Sequence, residues 1–138
     1  MSQPNKVVAE IRKGQAEEAH LFSNFEKYYK AKDSVKASEF LWGSTSKLAY
    51  LIGLLHGQKL GKHGELMVFL RSLARQQERP EALDWISAAE SLHSNFYHNW
   101  MESEVFEEYI QKVVRLRNWL LEIFERKLEE TNFTFSAP

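Results

Sequence analysis

The 138-residue sequence contains no cysteine. That excludes disulfides, thiolate metal sites and thiol nucleophiles together. Proline is nearly as scarce, with three residues of which one, Pro138, is the last. Long intervals are therefore free of the residue that most reliably breaks helices. No apolar run approaches the roughly 20 residues that span a bilayer, so no membrane association is expected. The opening MSQPNK lacks the apolar stretch of a secretory leader, and a cytoplasmic location is the expectation. The net charge of −1 gives no overall basic footprint. A nucleic-acid partner has to be held by a local patch instead. No alternating run is long enough for a strand, and no Pro/Ser-rich linker, low-complexity tract or repeat divides the chain.

What is present is apolar periodicity near 3.6. The length suits one domain with a proper core. The pattern predicts an all-α, up-and-down bundle of about five helices over 1–138, with loose tails at 1–5 and 129–138. The first helix is predicted over about Lys6 to Ala31, where Val7, Val8, Ile11, Phe22, Phe25 and Tyr29 share a stripe. Glu18 falls inside that stripe. A carboxylate there is paired, protonated or facing a cleft. Asp33 or Ser34 caps a second helix that runs to about His56. Its main face is Ala37, Phe40, Leu41, Ser44, Leu48, Leu51, Ile52 and Leu55. Opposite lies a stripe of mostly small residues, Trp42, Ser46, Ala49 and Gly53. A helix apolar on two sides belongs in the centre of a bundle.

The connection HGQKLGKHG, His56 to Gly64, is glycine-rich and basic, with Lys59, Lys62 and His63. It reads as a solvated loop or as an anion site at a helix N-terminus. It is no Walker loop, since no Gly-Lys is followed by Ser or Thr. The third helix, about Glu65 to Gln77, places Arg71 and Arg75 at i, i+4. They form a local basic patch or an ordinary solvated face.

Pro80 to Met101, PEALDWISAAESLHSNFYHNWM, holds the least ordinary polar cluster: His93, Asn95, Tyr97, His98 and Asn99. Trp85, Ala88, Ala89, Leu92, Phe96 and Trp100 form its apolar face, with His93 in that arc. His93 and His98 lie about 140° apart around one helix, so they do not converge on a metal, and none is expected. Ser87, Ser91, Ser94 and His98 form a stripe suited to a close neighbour, such as a symmetry mate. Ser103 is the expected N-cap of the last helix, which runs to about Leu128. Arg117 interrupts its apolar stripe as Glu18 interrupts the first, and a buried pair between them satisfies both. Trp119 is expected to point away from the core, towards a partner. Phe133 and Phe135 of the tail share one side if extended, and the tail is expected to clamp an open edge of the bundle.

Two stretches, LWGSTSKLAYLIGLLHGQKLGKHGELMVFL and LHSNFYHNW, resemble the archaeal PaREP-type helical proteins. These belong with the HEPN superfamily, the nucleotide-binding helical domains of higher eukaryotes and prokaryotes. The resemblance covers about Ala37 to Met101. It implies a HEPN-like bundle, a homodimer and an RNA or nucleotide ligand, without a cofactor. Active HEPN ribonucleases carry an Arg, then four to six residues, then a His, and cut RNA without metal. Here the nearest register is His93 to His98, with His in place of Arg. Neutral His cannot replace a permanent guanidinium that clamps phosphate. The leading expectation is thus a non-catalytic binding domain, with Asn95, Asn99, Glu18, Lys59, Lys62, His63, Arg71 and Arg75 as candidate ligand contacts. The alternative is a metal-independent endoribonuclease, the toxin of a toxin–antitoxin pair, using His98 with His93 or Tyr97. An antitoxin-like protein would then be a partner. A further alternative is a helical protein–protein interaction module.

Overall fold

A computed structural model describes residues 3–98 and 102–131, with side chains over 6–95 and 102–131. Five helices follow one another: α1 (Gln3–Lys30), α2 (Ser34–Leu55), α3 (His63–Gln76), α4 (Glu81–His98) and α5 (Ser103–Glu130). No strand occurs among the described residues. The all-α bundle expected from periodicity is what forms.

The helix ends have local causes. At α2 the Asp33 carboxylate accepts from the Lys36 N–H at 3.1 Å, leaving Ser34 as the first helical residue. At α3 Lys62 is the extended N-cap, and the Glu65 carboxylate accepts from its N–H at 3.2 Å. That half of a capping box starts the helix at His63 rather than at Glu65. At α5 the N-cap is Glu102, not Ser103, because Glu102 is the extended residue whose carbonyl accepts from Phe106 at 2.8 Å.

Three helices stop in the same way. After α1, Lys32 N–H bonds Tyr29 O and Asp33 N–H bonds Tyr28 O. After α2, Gly57 and Gln58 bond Leu54 O and Gly53 O, and after α3, Glu78 and Arg79 bond Arg75 O and Ala74 O. Each is the double closure that needs one left-handed residue just past the helix. Lys32 (φ 60°), Gly57 (φ 76°) and Glu78 (φ 53°) occupy those positions.

α2 packs against all four other helices, and α4 packs on both α3 and α5. The expected central helix is therefore central. Leu41, Leu48, Leu51 and Ile52 on it are fully buried, each stabilising the fold by about 1.5–3 kcal/mol. Gly14 lets α1 approach it, since a Cβ there would stand 2.6 Å from the Leu51 Cδ2 atom. The three buried hydroxyls of α2 are all satisfied. Ser38 Oγ accepts from Asn95 Nδ2 at 3.2 Å, Ser44 donates to Glu18, and Thr45 donates to Leu41 O at 2.8 Å. Polar groups inside a core require such partners.

The expected exposure of one aromatic is also corrected. Trp119 does not face a partner but is only 7 % exposed, edge-on to Trp85 with centroids 6.4 Å apart. The reason is that α5 is covered on two sides, by α2 and by α4. A single apolar stripe underestimates such a helix. The expected tail contact of Phe133 and Phe135 lies outside the described residues, as does Trp100.

Candidate functional site

The expected pair between Glu18 and Arg117 forms. Arg117 Nε and Nη2 donate to Glu18 Oε2 and Oε1 at 2.9 and 3.2 Å, a bidentate clamp. Ser44 Oγ adds a bond of 2.5 Å to Glu18 Oε2. The Phe22 ring lies under the guanidinium, 3.8 Å from its centroid. Glu18 is buried, and its oxygens are committed to these donors. The arrangement joins α1, α2 and α5; it offers no open carboxylate.

A different set of groups gathers at one groove. Trp42 of α2, His63 at the first turn of α3 and His93 of α4 come together as three rings. Centroids are 4.8 Å apart for Trp42–His93, 5.4 Å for Trp42–His63 and 5.5 Å for His63–His93. Each ring comes from a different helix, so the cluster exists only in the folded bundle. The rings wall a cavity of about 380 Å³ that also takes in Lys47, Tyr50 and Lys62.

Behind the rings, Glu90 stands 3.9 Å from His63 Nε2 and accepts from Arg71 Nη2 at 2.7 Å. Burial holds the His93 imidazole below its ordinary proton affinity. A charged His63 lowers it further, and Glu90 opposes both. His93 is therefore neutral at pH 7. Tyr50 donates to Glu10 Oε2 at 2.9 Å, and burial first, then that bond, raises its phenol above the usual value.

The groove brings together His63, His93 and Lys62 of the residues anticipated as contacts. Arg71 reaches it only through Glu90. Lys59 and Arg75 are exposed and lie outside its lining. Asn95 is fully buried between α4 and α2. The side chains of Tyr97 and His98, and Asn99 altogether, lie outside the described residues. The N-terminus of α3 already has its anion, Glu65. Ser87 of the serine stripe is exposed, and Ser91 and Ser94 are half-buried.

Sequence reasoning missed Trp42, Lys47 and Tyr50 as site residues. A signal existed: Trp42, Ser46 and Tyr50 recur every four residues and so share one helix face. All three line the cavity. A larger cavity of about 500 Å³ runs along α3 from His56 to Gln76, but neither Lys nor Arg lines it. It is not suited to an anion. No cluster of three or more metal-ligating side chains occurs among the described residues.

The profile of the Archaeal PaREP1/PaREP8 family matches residues 16–117. The chain belongs to this family. No curated protein and no solved structure matches it. The PaREP1/PaREP8 match begins two residues before Glu18 and ends on Arg117. It therefore spans both the buried ion pair and all three rings of the groove. Among the described residues, no helix of this PaREP1/PaREP8 protein is long and apolar enough to cross a membrane.

Proposed function

We propose that this protein is a non-catalytic, HEPN-like domain of the cytoplasm that binds nucleotide or RNA, and that it works as a homodimer. The observation that carries the reading is the Trp42–His63–His93 groove with Lys47 and Lys62 beside it. Rings on which a base stacks, next to cations that meet a phosphate, are the two elements of sequence-tolerant nucleotide recognition. The homodimer rests on the resemblance alone.

The test is retention of labelled RNA and nucleotide in EDTA at low salt, for wild type beside Lys47→Ala/Lys62→Ala. Binding that weakens with salt and is lost in the double variant is expected. Full retention by the variant would remove the groove from this role. Light scattering on the same preparation measures mass, and a monomer at all concentrations refutes the dimer.

A second reading is favoured by one observation. His63 and His93 are two imidazoles on one groove, 5.5 Å apart, and His93 is held neutral. Such a pair supplies a general base and a general acid for metal-independent RNA cleavage. In this version His63 takes the place that the sequence offered to His98. An antitoxin-like protein partner belongs to this reading. RNA cleavage in EDTA that His93→Ala abolishes would establish it; intact RNA in the wild-type lane removes it.

A further inference from the structure

We propose that residues 132–138 dock along α3 and seat the rings of Phe133 and Phe135 in the cavity between α3 and the end of α2. The occupant is thus a segment of this chain, NFTFSAP, which lies outside the described residues. The proposal stands apart from the nucleotide reading above, because this cavity is not the ring groove.

The cavity measures about 500 Å³. Its α3 wall is one stripe, because Gly64, Val68, Ser72 and Gln76 recur every four residues, with Phe69 beside them. The facing wall is His56, Gln58 and Leu60. The Phe69 and His56 rings meet edge-on, with centroids 5.6 Å apart. Val68 is 63 % exposed, an open apolar surface on the same stripe. α3 packs on α2 and α4 but not on α5, so among the described residues no helix covers this flank. Charge favours an uncharged occupant. Neither Lys nor Arg lines the cavity, and its one carboxylate, Glu65, accepts from the Lys62 N–H. The segment 132–138 carries no charged side chain either.

The end of α5 delivers the segment to one end of the cavity. Arg126 Nη2 donates to Gln77 Oε1 at 3.2 Å, which ties the last turns of α5 to the end of α3, next to Gln76. Lys127 and Glu130 both act on the charge of His56, so α5 also ends near the facing wall. Thr131 closes the helix, its N–H and hydroxyl both bonding Lys127 O and Leu128 O. The chain therefore leaves Thr131 at the Gln76 end, and the cavity leads it antiparallel to α3 towards Gly64. That path is roughly 18 Å long at about 1.5 Å per helical residue. The seven residues 132–138 reach roughly 23 Å when extended. The register agrees as well. Alternate residues of an extended chain share one side, roughly 6.6 Å apart, and a step of four along a helix is about 6 Å. Phe133 thus falls at Ser72 and Gln76 beside His56, and Phe135 one turn further at Val68 and Phe69. Thr134 faces away from the cavity.

The absence of cysteine allows a direct test, since any introduced pair of thiols is the only pair in the chain. Val68→Cys/Phe135→Cys and Val68→Cys/Thr134→Cys are each oxidised as the full chain at low concentration and run without reductant. A disulfide demands a specific approach of its two Cβ atoms, so the Phe135→Cys pair should close within one chain about tenfold faster than the Thr134→Cys pair. Equal rates would mean random collision and would overturn the docking. Disulfide-linked dimers would place the segment on a second copy, and no link in either pair would place it off α3; each result also overturns the proposal. The second measurement is urea unfolding. Phe133→Ser/Phe135→Ser should raise the unfolding constant about tenfold or more, through lost apolar burial. With Val68→Asp already present, the same pair should change it within about twofold, because residues in contact do not act additively. The same rise in both backgrounds would seat the two rings elsewhere and overturn the proposal.

Discussion

Arg117 spends its charge on one partner, and that choice fixes how α5 sits against α1. Its guanidinium is only slightly exposed and meets a carboxylate that is nearly sealed, so neither charge has water to fall back on. Breaking such a pair leaves an ion stranded in the interior, which costs about 3–5 kcal/mol. Arg117→Met alone is therefore expected to cost about that much in urea unfolding. Glu18→Leu/Arg117→Met together should lose far less, because the stranded charge is gone. Equal losses in the single and double variants would mean that packing, not charge, governs the site. Ser44→Ala removes the third donor to Glu18 and should cost about 1.5–3 kcal/mol, the range for a bond to a charged group. Both charged residues were conspicuous in the sequence as interruptions of apolar stripes. Their bidentate geometry was not, since two stripes do not say at what height two helices meet.

The helices themselves were largely legible, because each repeats its apolar residues near every 3.6 positions. What was not legible is how much of each circumference is buried. Trp119 illustrates this. Its stripe position placed it outside, yet α4 covers that side of α5 and Trp85 meets it. Trp119→Ala should thus cost about 3–5 kcal/mol, as core aromatics do. A surface residue would cost within about 0.5 kcal/mol, so the urea midpoint separates the two cases. The groove escaped for a similar reason. His63 and His93 are 30 positions apart and come together only because α3 and α4 both fold onto α2. The ends of elements make a second prediction. Lys32 and Glu78 hold the left-handed position that Gly57 fills without strain. A side chain there costs roughly 1–2 kcal/mol, partly offset by the greater freedom glycine loses on folding. Glu78→Gly should therefore raise stability by up to about 1 kcal/mol. A lower thermal midpoint in that variant would show that Glu78 makes contacts worth more than its strain.

At the scale of the whole molecule, two histidines tie stability to pH. Burial is the largest cause that lowers proton affinity at both His56 and His93. At His56 the Lys127 charge adds to it and Glu130 opposes; at His93 the added charge is His63 and the opposition Glu90. In the unfolded chain both titrate near the ordinary value of 6.5. Above that pH neither binds a proton in either state, and stability is complete. As the pH falls through 6.5 the unfolded chain takes up protons that the fold refuses, so unfolding is favoured. The loss deepens until the pH passes below the folded-state values. The urea midpoint should therefore be lower at pH 5 than at pH 7.5, with the slope concentrated between them. His56→Gln/His93→Gln should flatten that slope, and a double variant with the wild-type slope would assign the acid sensitivity to carboxylates instead. The same titration separates the two histidines by function. If a nucleotide binds the groove as proposed, a phosphate on Lys47 and Lys62 would share one cavity with His93, whereas His56 faces Phe69 and lines a different cavity. Saturating 5′-AMP should stabilise the protonated form of His93 and so reduce the loss at low pH. In His93→Gln that protection should disappear, while His56→Gln should keep it. Protection that persists in His93→Gln would mean that the anion rests on the lysines alone.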